Sequence, residues 1–369
     1  MSFLLVQHWS HRLPTYKAGL KVFTISQVGD LPLLFFIFAC FARFETTSLL
    51  EILPMLPLAA LEYVYIGQTL VSLLYLLALL LSAAVFLKAA QFFFYPWLLD
   101  AMEAPVPISA QLHSSTLVVI GFYLFYRFQA LFMLTPELSP LFLGAGVFTV
   151  VGASLLGFFQ IDGKRLLACS TASQLGYIVV SLGLGLYEEG LLLLAFCCCN
   201  KAFTFVWFGA LMNRHAGVSD FRFLGGVSGL SWFEHAGLLV AICNFTILPG
   251  AFSWHAKGLF LLGEAPLSPL GAFVGLEVLQ LTWFFSSLYL ISLYLALFAR
   301  PLQGKPRLPL APRLSPLSLL TWAIFISSSW SSPAPRSAGS LSFFFLALVL
   351  TVALVSPELS GFWGFTDVS

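Results

Sequence analysis

Two lysines stand in apolar surroundings where a charge is expensive. Lys88 closes the run LLYLLALLLSAAVFLK, and Lys201 lies near the centre of the stretch LLLLAFCCCNKAFTFVWFGALM. An ammonium in hydrocarbon costs several kcal/mol, so each must face protein or a hydrated interior. Lys88 has a second option, since a lysine at a helix end can reach the headgroups along its own stem. Lys201 is too deep for that. His113, in QLHSSTLVV, follows Gln111 and precedes Ser114, Ser115 and Thr116. One turn of polar groups within an apolar helix can hold a chain of water, and an imidazole that accepts at one nitrogen and donates at the other suits a proton relay. A histidine hydrogen-bonded across a helical bundle would leave the same pattern. In DGKRLLACSTASQLGYIVV, Asp162 caps a helix start, and Ser170, Thr171, Ser173 and Gln174 form a polar stripe that serves either conduction or close packing. The chemistry these types offer is the movement of protons or small cations.

The elements that carry them are set by composition. Of 369 residues, 59% are hydrophobic and 9% charged, with mean hydropathy +0.95; the charged share of a soluble domain is about 25%. Apolar runs reach the roughly 20 residues that cross a bilayer, so the chain reads as an all-α polytopic membrane bundle. Roughly ten spans are expected, at 22–42, 65–87, 108–128, 140–159, 166–185, 190–212, 231–251, 272–298, 314–331 and 341–357, after a partial helix at 1–10. Pro54 and Pro57 make 43–64 a loop near the interface. Pro96, Pro105 and Pro107 interrupt the passage after Lys88, and Pro301, Pro306, Pro309, Pro312 and Pro316 crowd a second helix start, as in a transporter with discontinuous, internally duplicated helices.

If the spans alternate, Arg12, Lys17, Lys21, Lys164, Arg165, Arg214, Arg222, Arg300, Lys305, Arg307 and Arg313 share one side. Arg43, Arg127, Lys257 and Arg336 fall on the other with Glu45, Glu51, Glu62, Glu137, Glu188, Glu189 and Glu264. The basic side is assigned to the cytoplasm or matrix. A net charge of +1 gives no field to hold a nucleic acid. Cys40, Cys169, Cys197, Cys198, Cys199 and Cys243 lie in apolar stretches without the partners of a zinc or iron–sulfur site, and no nucleotide-binding glycine motif is present. The opening MSFLLVQHWSHR lacks the order of a signal peptide and reads as the end of a membrane helix that begins elsewhere.

The stretch KAAQFFFYPWLLDAMEAPVPISAQLHSSTLVVIG at 88–121 resembles the signature of the NADH-ubiquinone oxidoreductase subunit 5 family, the distal antiporter-like subunits of respiratory complex I, akin to Na+/H+ antiporter subunits. DGKRLLACSTASQLG at 162–176, KAFTFVWFG at 201–209, LPGAFSWHAKG at 248–258, and MSFLL followed by VGD at 28–30 extend the likeness colinearly. The resemblance implies a proton path through Lys88, His113, Lys201 and Lys257. In the family the lysine at the place of Lys88 pairs with a glutamate that precedes the MSFLL-like sequence. That glutamate is therefore expected from a separate chain that supplies the upstream helices, unless the half-channel lacks it. Leu193 and Cys197 stand where the family has histidines, and Ser318 where it has a second channel lysine, so a complete titratable route from Lys201 to the acidic side is not expected. The long lateral helix is expected to be missing.

The resulting expectation is an antiporter-like proton-translocating domain over 1–369, acting as a subunit of NADH:ubiquinone reductase in the mitochondrial inner membrane. No cofactor is expected in this chain; FMN, iron–sulfur clusters and ubiquinone belong to partner subunits. Expected partners are other membrane-arm subunits, including the adjacent antiporter-like one, and lipids such as cardiolipin. A free-standing cation/proton antiporter subunit and a structural subunit that no longer conducts are the alternatives.

Overall fold

A short helix α1 (Ser2–Val6) and a 3-10 turn lead to Arg12, whose extended backbone is followed by Pro14 in the first turn of α2 (Leu13–Phe44). Proline fits there because the first-turn N–H groups have no helical partner. At 1.5 Å per residue, α2 is about 48 Å long. It continues through Pro32, which withdraws one backbone donor from the helix interior just after Asp30. The computed structural model describes residues 2–66, 69–114, 116–214 and 217–220, with the isolated positions 285, 286, 288 and 290.

After α2 the chain forms α3 (Leu49–Met55), too short to cross a membrane, and a 3-10 turn at Leu58–Leu61. The span expected at 65–87 is divided. Tyr63–Ile66 (β1) and Thr69–Ser72 (β2) pair antiparallel, with Tyr63 opposite Ser72, and the helix α4 runs only over Leu73–Lys88. Aromatic and β-branched residues favour a pleated ribbon over the first turns of a helix. The break after α4 is sharp: Ala90 takes φ +53°, Gln91 is extended, and a 3-10 turn at Phe92–Phe94 leads to α5 (Pro96–Asp100) and a turn at Ala101–Glu103.

The next crossing, Val106–Arg127, consists of α6 (Val106–Ser114) and α7 (Leu117–Arg127), interrupted directly after His113 and Ser114. A turn of helix, α8 (Gln129–Met133), precedes the hairpin of α9 (Ser139–Phe159) and α10 (Gly163–Gly183), and α11 (Tyr187–Arg214) closes the described part. α10 is the central element, buried throughout from Leu166 to Gly183. By contrast only 17% of the apolar window of α2 is buried, leaving Leu31, Phe35, Phe38 and Phe41 facing outward. In water such a face would be a liability; in a bilayer, lipid or another helix covers it.

Among the described residues, five helices are long and apolar enough to cross a membrane: Leu13–Phe44, Val106–Arg127, Pro136–Phe159, Gly163–Gly183 and Tyr187–Asn213. Of the six spans expected within the described residues, five are found. The 65–87 span drops out because its helical part has only 16 residues. The spans expected at 231–251, 272–298, 314–331 and 341–357 lie outside the described residues. The chain is a multi-pass helical bundle with discontinuous helices.

Ion pairs orient the bundle. Lys21 meets Asp100 at 2.7 Å, Arg165 meets Glu103 at 3.4 Å, and Lys164 Nζ donates to the Ala104 carbonyl at 3.1 Å. The start of α2, the turn at 100–104 and the start of α10 therefore share one end. Arg43 pairs with Glu62 beyond the far end of α2.

Candidate functional site

Lys88 ends α4 without reaching a surface. A 16-residue helix rises about 24 Å, less than the roughly 30 Å of hydrocarbon. Residues 91–104 then carry the chain on to the basic end, so α4 and this irregular segment together make one broken crossing. The Lys88 ammonium lies 2.5 Å from the Asp30 carboxylate, and Asp30 stands near the middle of α2, about 20–25 Å from either end. Gly29 eases the contact: a Cβ there would lie 3.1 Å from Leu87 Cβ, tight enough that α4 would have to give by a few tenths of an ångström. The two side chains are 19% and 40% exposed. A carboxylate beside the ammonium offsets much of its cost in the membrane.

Asp30 was missed as a partner. In this structure the carboxylate beside Lys88 comes from α2 of the same chain; the glutamate expected from a separate chain is a further group that this pair neither supplies nor excludes. The signal was available, because an acid inside FTISQVGDLPLLFF is as costly in hydrocarbon as either lysine.

A second cluster forms where α6, α10 and α11 meet. Lys201 is 0% exposed and sits mid-way along α11, about 20 Å from either end. Its ammonium donates to Ser170 Oγ and, at 3.3 Å, to the Leu167 carbonyl. His113 is buried, with Nδ1 3.1 Å from Thr171 Oγ1 and its ring tilted over Phe205 at 5.1 Å. Ser170 and Thr171 are neighbours on α10, so this helix brings the lysine and the histidine to one place.

The hydrogens can be assigned by counting. Thr171 donates its only hydroxyl proton to the Ala168 carbonyl at 2.6 Å, so the contact with His113 requires the histidine to carry its proton on Nδ1. Nε2 is then a bare acceptor, and it has no partner among the described residues. Ser170 likewise donates to the Leu167 carbonyl, at 2.8 Å, and accepts from Lys201.

Of the residues singled out from sequence, the structure brings Lys201 and His113 together through Ser170 and Thr171, and places Lys88 in a separate pair with Asp30. No hydrogen bond joins Lys88 to His113 among the described residues. Nearby, Gln91, fully buried after the α4 break, accepts from Thr149 Oγ1 at 3.0 Å. Lys257 and Ser318 lie outside the described residues. Cys40, Cys169, Cys197 and Cys198 are buried and unbridged. No group of three or more His, Cys, Asp or Glu side chains that could share a metal ion occurs among the described residues.

The chain has recognisable relatives. A family model described as the transmembrane region of NADH:quinone oxidoreductase and Mrp antiporter proteins matches residues 1–273. The chain belongs to this family. NADH-ubiquinone oxidoreductase chain 5 of Cryptococcus neoformans is 32% identical over 273 residues, 72% of this chain and 39% of that protein. The same chain from Triticum aestivum is 31% identical over 260 residues, and that from Allomyces macrogynus 32% over 308. The chain spans about two fifths of the length of these curated relatives. A solved structure of the Mrp complex from a Dietzia species superposes with TM-score 0.70 at 22% identity, over 99% of this chain and 42% of that one. That likeness concerns the antiporter-like fold.

Proposed function

We propose that the chain is a proton-translocating membrane-arm subunit of an NADH:ubiquinone oxidoreductase, coupled to electron transfer that partner subunits carry out. The observation that carries this reading is the Lys88–Asp30 ion pair held in mid-membrane at the end of a broken helix. A structural bundle gains nothing from opposite charges that apolar residues could replace. A proton path needs groups that take and release a proton away from either surface, and Lys88, Asp30, His113 and Lys201 are such groups. On this reading 1–369 belongs to an antiporter-like translocating domain, with Lys257 as a further path residue. Its setting is the mitochondrial inner membrane, beside another antiporter-like subunit and lipids such as cardiolipin. FMN, iron–sulfur clusters and ubiquinone are held by partner chains.

In the mechanism, the carboxylate of Asp30 stabilises the charged form of Lys88. A proton that leaves Lys88 passes onward through water; His113 takes it up and releases it at the open Nε2, while its Nδ1–H stays bound to Thr171. Ser170 fixes the Lys201 ammonium without competing for its proton.

The test is Lys88→Met in the reconstituted complex, with proton uptake and NADH oxidation followed together. Methionine keeps the length and apolar stem but carries no proton. The expected result is a fall in protons moved per NADH, or in oxidation itself where the steps are tightly coupled, with bound redox cofactors retained. Unchanged stoichiometry and rate would remove Lys88 from the path. A second reading, a cation/proton antiporter subunit, is favoured by the shared fold with an Mrp complex; it requires transport to depend on Na+ in the absence of NADH.

A further inference from the structure

The polar stripe on α10 does more than hold Lys201. Ser170, Gln174, Tyr177 and Ser181 are spaced by four, three and four residues, which keeps them on one face of a 3.6-residue helix over a rise of about 16 Å. All four are buried. The stripe begins at the Lys201 ammonium, bound to Ser170, and ends where α7, α10 and α11 converge near the α10–α11 turn. At that end a Cβ on Gly190 would lie 2.7 Å from Tyr126 Oη and closer still to Ser181 Oγ. Glycine there leaves room for both hydroxyls.

Polar atoms along this line are unsatisfied by protein. Gln174 Nε2 and Tyr126 Oη are buried and have no hydrogen-bond partner among the described residues, and neither has His113 Nε2 at the Lys201 end. The Gln174 side chain is more than nine-tenths buried. Buried amide and phenol groups without partners are costly, and the usual resolution is internal water bonded to several such groups. Small-residue packing alone accounts for serines, but leaves a buried glutamine amide and a tyrosine hydroxyl unexplained.

We propose that this face of α10 holds a file of water molecules that carries protons between Lys201 and the Tyr126 hydroxyl, and so toward the acidic surface beside Glu188 and Glu189. The inference rests on the proton-translocation reading and gives that path a specific outlet. It needs no titratable groups at Leu193 or Cys197, because hydroxyls and an amide position the water and the water moves the proton. Each step is an exchange: a water accepts a proton from Lys201 or from the preceding water and releases another to the next. No electrons move, and Ser170, Gln174, Tyr177 and Ser181 end as they began.

The experiment uses the assembled complex containing the full-length chain. A map fine enough to show ordered water is expected to place water within about 3 Å of Gln174 Nε2 and Tyr126 Oη; direct protein partners at both atoms would overturn the proposal whatever the chain transports. In vesicles, Gln174→Leu is expected to slow proton uptake roughly tenfold, a barrier rise of about 1.4 kcal/mol, and Gln174→Asn to recover most of it. If Gln174→Leu does not assemble, Tyr126→Phe, which removes one hydroxyl, takes its place with the same expectation. Uptake unchanged by these variants but abolished by Lys88→Met would overturn the file and leave the translocation reading standing. Uptake unchanged by Lys88→Met as well would overturn both.

Discussion

Asp30 and Lys88 are worth more as a pair than as two charges. Each alone would be an uncompensated ion within the apolar bundle, where insertion scales put a charge at a helix centre at about 2.5–3.5 kcal/mol. Together, at 2.5 Å, they offset much of it. Asp30→Asn removes the charge but preserves the shape, leaving the Lys88 ammonium without its counter-ion. It is expected to lower proton uptake about as much as Lys88→Met does. The double variant should be scarcely worse than either single one, since residues acting as a unit are not additive; two independent, multiplying losses would show that the pair does not act as one group. At this scale the sequence was informative about cost and silent about pairing. Lys88 and Lys201 announced themselves as charges in apolar runs. Their partners, 58 and 31 residues away, depend on which helices pack together, and no periodicity within a single segment encodes that.

Gly29 lets helix α2 lie closely against the end of α4 where it delivers Asp30. Gly29→Leu is expected to force the helices apart. Overpacking of this kind typically costs about 1–3 kcal/mol, here expressed as lower assembly and a lower melting temperature of the purified complex. Gly29→Ala is the milder case, because a Cβ 3.1 Å from Leu87 Cβ asks its neighbour to give by a few tenths of an ångström. Equal stability of wild type and Gly29→Leu would show that this approach is not needed. The same scale marks where sequence reading held and where it failed. The α9–α10 hairpin and α11 follow from long apolar runs separated by the breaks at 160–162 and 184–186. Hydropathy could not find the β1–β2 ribbon, because Tyr-Val-Tyr-Ile and Thr-Leu-Val-Ser are as apolar as a helix start, and only their β preference tells them apart. Prolines 96, 105 and 107 foretold the break after Lys88, whereas the interruption after His113 has no proline to mark it.

For the molecule as a whole, the orientation rests on which charges share an end. Exposed ion pairs contribute about 0–1 kcal/mol each, so Lys21–Asp100 and Arg165–Glu103 matter less for stability than for location. With the bond from the Gly163 amide to the Ser219 carbonyl at 2.9 Å, they gather the start of α2, the 100–104 turn, the start of α10 and the segment after α11 at one surface. Arg43–Glu62, Glu137 and the start of α11 with Glu188 and Glu189 belong to the other. That arrangement agrees with the basic and acidic sides read from sequence over the described residues. It predicts opposite accessibility for two exposed positions, Lys17 and Glu137. A cysteine placed at Lys17→Cys should react with a membrane-impermeant maleimide only from the matrix-equivalent side, and Glu137→Cys only from the opposite one. Both cysteines are introduced after Cys199, which is only half-buried, and Cys243 are replaced by serine; Cys40, Cys169, Cys197 and Cys198 are buried. Labelling of both positions from the same side would mean an even number of crossings between them. The α4 segment and residues 91–104 would then not form one passage, and Lys88 would lose its place at the centre of the membrane.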